Sequence, residues 1–148
     1  MKRLLALVMV VAACKSNTPA LKTCIPYSPD LMQHFADGLK RKDFRLVNAW
    51  VVKSDKAMDS VPAYFLSADI VAPNGEAVVG TWLTDNIATG GRIYSVSTQA
   101  LKYSNYGGVG DPATAGVTID TGGAKESREC VSSHRTKTPA SASAPASP

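Results

Sequence analysis

The chain has 148 residues, 45% hydrophobic and 19% charged, with a formal net charge of +4. That length allows one small domain rather than two. The excess of base is too mild for a nucleic-acid-binding face, which carries clustered lysine and arginine along one stripe.

The first segment, Met1 to Cys14 (MKRLLALVMVVAAC), sets Lys2 and Arg3 before an apolar run, Leu4 to Val11, and ends in Ala12-Ala13 beside a cysteine. This order of charge, apolar run and small residues is that of an export signal, processed rather than folded. The apolar run is about ten residues, and a spanning helix needs roughly 20; no later stretch is long or apolar enough either. Val11-Ala12-Ala13-Cys14 resembles the lipobox of bacterial lipoproteins. The resemblance implies that residues 1–13 are removed and that Cys14 becomes the new N-terminus. It would carry a diacylglyceryl group on sulfur and often an acyl group on nitrogen. More than one chain is what stable anchoring requires. The alternative is an ordinary secretory signal with an incidental cysteine. Without Lys2 and Arg3 the 16 basic residues become 14 against 12 acidic, about +2 for the processed chain.

Composition divides the remainder into three parts. Residues 14–23 form a lipidated polar tether, residues 24–134 hold all the apolar periodicity, and residues 135–148 (RTKTPASASAPASP) are Ala/Ser/Pro low complexity. A tail of that composition has nothing to bury and is expected to stay disordered. No internal repeat is visible. With Cys14 assigned to lipid, Cys24 and Cys130 remain at the two ends of the folding part, and in an oxidising compartment they are expected to form a disulfide. Closing a loop of roughly 100 residues stabilises by about 4 to 5 kcal/mol in the chain-entropy account, an upper figure. A metal site lacks support: there is no CxxC, and His34 and His134 form no ligand spacing with the cysteines. No metal and no cofactor is expected.

Along the folding part, Ser28-Pro29-Asp30 is a helix start, with a capping hydroxyl, a proline whose missing N–H is harmless and an early acid. Leu31, Phe35 and Leu39 follow at helical spacing, and the helix is expected to end near Lys42. Phe44 to Lys53 (FRLVNAWVVK) suits a strand covered on both faces. Ala63 to Pro73 and Glu76 to Thr84 flank Asn74-Gly75, a preferred two-residue hairpin turn. That turn pairs Ile70 with Val79, Ala68 with Thr81 and Leu66 with Leu83 on an apolar face, and Val71 with Val78 and Ser67 with Trp82 on a mixed one. Arg92 to Ser97 reads as a fourth strand. Ser97 is placed to cap a short helix over Thr98 to Asn105, residues 106–116 are loop, and Asp120 or Thr121 is the expected cap of a last helix carrying Cys130. The fold class is α+β: a small antiparallel sheet of three to four strands with helices on one face, stapled by one disulfide.

Four stretches carry a family resemblance: Phe44 to Asp55 (FRLVNAWVVKSD), Gly80 to Asn86 (GTWLTDN), Ile93 to Val96 (IYSV) and Gly123 to Cys130 (GAKESREC). They resemble a class of small secreted or lipidated actinobacterial proteins, and the resemblance extends by implication to genes carried by phages of those bacteria. It covers residues 44–130 and leaves out the Ala/Ser/Pro tail. It implies an exported location and the limits of the fold. It assigns no activity, ligand or catalytic residue.

Catalytic motifs resolve into plainer readings. Asp120-Thr121-Gly122 matches the aspartic-protease tripeptide, but it lies at the far end of the domain and is followed by Gly123, so a helix cap explains it. Gly107 to Pro112 (GGVGDP) lacks the lysine and hydroxyl of a phosphate loop. No serine has a GxSxG setting; His34 is expected at the surface and His134 at a frayed end. Trp50 and Trp82 are expected in the core, the alternative being an exposed binding platform. The candidate interface residues are Trp82, on the more polar sheet face, with Lys40, Arg41 and Lys42. The basic run suits either an anionic leaflet or a solvated helix end. The expected function is that of a lipid-anchored envelope protein at the outer face of a bacterial membrane, acting as a non-catalytic binding module. Its expected partners are the membrane, through the anchor, and an envelope or phage protein. A superinfection-exclusion lipoprotein and a small envelope hydrolase are the alternatives.

Overall fold

The computed structural model describes residues 22–135, so the expected export signal, Cys14, the expected tether up to residue 21 and residues 136–148 lie outside the described residues. In chain order the elements are β1 (Ile25–Pro26), α1 (Pro29–Asp37), β2 (Arg45–Lys53), β3 (Tyr64–Val71), β4 (Ala77–Thr84), β5 (Ile93–Ser95), α2 (Thr98–Tyr103), a 3₁₀ turn (Pro112–Thr114) and α3 (Ala124–Arg135). The strands form one antiparallel sheet in the order β1-β2-β3-β4-β5. The sheet thus has five strands, not three to four. The extra one, β1, is two residues at the β2 edge, with Ile25 opposite Val51. Too short to show an alternation, it lies directly after Cys24, whose disulfide to Cys130 is formed with Cα atoms 5.9 Å apart.

The hairpin between β3 and β4 departs from expectation by one residue. Gly75 N–H donates to Ala72 O and Ala72 N–H donates to Glu76 O, both at 2.9 Å. The loop is therefore Pro73-Asn74-Gly75, a turn with proline second, followed by Gly75 at φ +87°. That is a three-residue loop ending in a left-handed residue. A two-residue Asn-Gly loop would require Pro73 to donate to Glu76, and proline has no N–H. Ile70 consequently faces Val78, Leu66 faces Trp82 and Ser67 faces Thr81.

Moving the register by one changes which side chains share a face. Leu66, Ala68, Ile70 and Trp82 now stand together and pack against Leu31, Phe35 and Leu39 of the α1 segment and Ala100 of α2. Phe65 and Leu83 stand on the other face with Met58, Val117 and Ala124 of α3. Helices therefore cover both faces, not one. The Ser67, Thr81 and Ser127 hydroxyls, all buried, form a hydrogen-bonded chain at 2.9 and 2.8 Å between the sheet and α3. Every member of that chain has a partner, which is what burial of hydroxyls demands.

The helix ends follow local chemistry. Ser28 Oγ accepts from Leu31 N–H at 3.3 Å and Pro29 opens α1. The helix stops at Asp37 rather than near Lys42: Gly38 N–H turns back to Phe35 O, and Leu39 bridges to Ser104. Ser97 Oγ caps α2 by accepting from Ala100 N–H at 3.1 Å. Neither Asp120 nor Thr121 caps α3. The cap is Gly123, whose N–H donates to the Glu126 carboxylate at 2.7 Å. Glycine is required there, since φ is +106° and a Cβ would lie 2.6 Å from Lys53 O. Arg135 closes α3 instead of opening the tail.

Candidate functional site

The loop leaving α1 places Lys40, Arg41 and Lys42 on the surface. Lys40 Nζ donates to Leu101 O at 2.9 Å, and Lys42 Nζ donates to Asp37 O at 2.5 Å at the negative end of α1. Arg41 grips Asp43 with two N–H groups, at 3.0 and 2.5 Å, and its guanidinium lies 4.6 Å from the centre of the Phe44 ring. The hydrogen bond from Arg41 holds the Asp43 carboxyl below the ordinary range. Phe44 in turn meets Tyr103 of α2 at 5.5 Å between ring centres.

Of these, Arg41, Phe44 and Tyr103 line a cavity of about 380 Å³ at the hairpin end of the sheet. Its floor is Ile70 and Val78, its walls are Phe44 and Tyr103, and Arg41, Asn74 and Glu76 stand at the mouth. Among its described lining residues there is no serine, histidine or cysteine. What the arrangement offers is apolar and aromatic contact beside the Arg41–Asp43 ion pair and the Glu76 carboxylate.

Trp82 is not part of this surface. It is fully buried, meets Phe35 edge-on at 5.9 Å, and donates from Nε1 to Ser104 Oγ at 3.1 Å. Its assignment to an interface followed from the two-residue turn; the three-residue loop turns it into the core. Gly80, two residues earlier on the same face, makes room for it, as a Cβ there would lie 2.4 Å from Trp82 Cη2. Trp50, expected in the core, is instead half-buried and stacked on His134, ring centres 3.7 Å apart. His134 is thus held within α3 rather than at a frayed end.

Beneath that stack is an arrangement the sequence reading missed. Asn48 sits in a β-bulge of β2 at φ +52°, between Val47 and Trp50 where the register with β3 shifts. Its Nδ2 donates to Asp69 Oδ2 at 3.1 Å and to Val131 O at 2.9 Å, and its Oδ1 accepts from Trp50 Nε1 at 2.8 Å. Asp69 is buried and ion-paired with Arg135. The one cue was an asparagine within a β-branched and aromatic run. Bulges and left-handed residues recur next to functional sites, but here each polar atom is spent on joining β2 and β3 to the end of α3.

At the opposite end of the sheet Arg92 joins Asp59 at 2.5 Å and Asp85 at 2.7 Å. Asp59 and Ser60 both have positive φ, at 45° and 67°, inside a two-residue turn closed by reciprocal Met58 and Val61 bonds. Arg92 fixes this turn to the start of β5.

Compared with family models, curated proteins and solved structures, the chain matches none. The site therefore has to be read from its own chemistry. Among the described residues no helix is long and apolar enough to cross a membrane.

Proposed function

We propose that this chain is an exported lipoprotein held at the outer face of a bacterial membrane, where its domain acts as a non-catalytic binding module. The observation that carries the proposal is the disulfide between Cys24 and Cys130. Such a bond persists in oxidising, exported locations, and it leaves Cys14 as the one cysteine available to the lipobox-like Val11-Ala12-Ala13-Cys14. The binding role is supported by the half-open aromatic and cationic cavity, and by the use of the buried hydroxyls and of Asp69 within the fold.

Orientation follows from the reach of the chain. Lys22 donates to Lys53 O at 3.3 Å and pairs with Asp55, at the end of β2 away from the cavity. From Cys14 to Lys22 the backbone spans at most about 29 Å, so that end of the domain stays near the bilayer. The cavity lies the length of a strand further away, about 23 Å for the eight residues of β3.

The experiment is fractionation of cells making the chain or Cys14→Ala. The native chain is expected with the membrane and the variant in the soluble exported fraction, both with the disulfide intact. Membrane association of Cys14→Ala at the native level would sink the anchor.

A further inference from the structure

β5 covers only one half of β4, pairing with Trp82, Leu83 and Thr84. Thr81 is satisfied separately: its N–H donates to Ser97 Oγ at 3.0 Å, and its carbonyl accepts from Val96 and Ser97 N–H at 2.9 and 3.1 Å. Beyond Thr81 the outer edge is bare. Because Ala72 N–H donates to Glu76 O, the antiparallel alternation directs the N–H and C=O of Val78 and Gly80 to β3 and turns those of Ala77 and Val79 outward. Among the described residues none is bonded to the outward backbone groups of Ala77 or Val79. The run Ala77 to Gly80 contains neither lysine nor proline, the usual means of blunting an edge.

A groove of about 360 Å³ opens beside Val79, with Val79, Val96 and Ile119 as its apolar surface and Ser97, Thr98, Gln99 and Arg128 around them. The Gln99 Oε1 atom is buried with no hydrogen-bond partner. Arg128 donates from Nε to Ala124 O at 3.4 Å and from Nη2 to Ile119 O at 3.2 Å. No carboxylate among the described residues pairs with it. The groove thus presents unpaired backbone groups at its edge and a cation lacking an anion.

We propose that the β4 edge from Ala77 to Val79 receives an extended acidic peptide segment of a partner protein. The segment adds as a further strand, with a carboxylate on Arg128. This deepens the binding-module reading and rests on it. Main-chain bonds supply affinity in such additions, and alternate side-chain contacts supply selectivity. Charge decides against a second copy of this chain. An edge-to-edge pair about a twofold axis normal to the sheet keeps each face in register, so both Arg128 groups stand on one face. Glu76, of the opposite parity to Val79, stands on the other face and gives neither arginine an anion.

The test uses the disulfide-intact full chain purified from membranes, with a capped peptide of valine, aspartate and valine flanked by threonines. The same peptide with asparagine for aspartate is the comparison. Hydrogen exchange is expected to slow at Ala77 and Val79, with about tenfold tighter binding of the aspartate peptide. Val79→Pro removes an outward N–H and no β3 ladder bond, so it is expected to abolish binding with the fold kept. Arg128→Gln is expected to erase only the preference for aspartate. If Val79→Pro misfolds, Arg128→Gln and the exchange pattern of the native chain decide. Equal affinity for the two peptides, or unchanged exchange at Ala77 and Val79, overturns the proposal. So does self-association through this edge without peptide, which would make a second copy the occupant. None of these outcomes bears on Cys14, so failure of the edge and failure of the anchor are read separately.

Discussion

Asn48 donates to the buried carboxylate of Asp69 at 3.1 Å from a residue whose own backbone is left-handed, at φ +52°. One side chain thereby answers two demands: a conformation that asparagine tolerates better than most residues, and polar partners for Asp69, Trp50 and Val131. Asn48→Gly keeps the first and loses the second, and is expected to destabilise by about 1 to 3 kcal/mol. Asn48→Ala loses both and is expected to cost about 1 kcal/mol more. Chemical denaturation of the oxidised variants measures the difference. Equal stability of the two would show that the bulge places no demand on φ.

Tyr27 tests the reverse case, a polar atom without a partner. Its ring meets Phe35 edge-on at 5.6 Å, while its buried Oη has no hydrogen-bond partner among the described residues. Burial pushes the phenol far above its ordinary range. Removing an unsatisfied hydroxyl without changing the ring should relieve its desolvation. Tyr27→Phe is expected to leave stability unchanged or raise it by up to about 1 kcal/mol in thermal melts. A clear loss would mean that the hydroxyl has a partner after all.

The parts legible in the sequence were those fixed by one or two neighbouring residues. Ser28-Pro29 announced α1 and Ser97 announced α2, because a cap needs only its own hydroxyl and an N–H three residues on. Cys24 and Cys130 announced their bond through count and compartment. The errors arose where two signals competed. Asn74-Gly75 suggested a two-residue turn, yet Pro73 forbids it, and that single step moved Trp82 from a surface to the core. The edge groove and the Asn48 cluster had no local signal, since Val79 and Arg128 come to line one groove, and Asn48 meets Val131, only after the sheet and α3 have packed.

Acid should act on the far end of the sheet through Asp85. Burial raises its pKa, but the Arg92 side-chain bonds, the Arg92 N–H and the Arg92 charge outweigh that, and the net shift is downward. A carboxyl with a lowered folded pKa stabilises the fold above its unfolded value, near about 4. It loses that contribution as pH falls through the folded value. Arg92 is 43% exposed, so solvent screening keeps the effect small. Arg92→Ala is expected to be less stable than the native chain at neutral pH. The gap should close below about pH 4, as Asp85 protonates in both proteins. A gap that stays constant down to about pH 2 would assign the loss to packing of the arginine stem.

The disulfide should matter most where the ladder is shortest. β1 offers two residues to β2, and the next bond, Tyr27 N–H to Ala49 O, is long at 3.4 Å. Such a ladder cannot offset the entropy of ordering its own chain, whereas a bond closing a separation of 106 residues ties it to α3. Reduction is expected to lower stability by about 2 to 5 kcal/mol, and the loss should be uneven. In hydrogen exchange of the reduced protein, Ile25 and Tyr27 should open first. The amides of β3 and β4 that bond to one another across the eight paired residues should stay protected until global unfolding. Equal protection of Tyr27 in the oxidised and reduced forms would show that the aromatic contact with Phe35, not the disulfide, seats this edge.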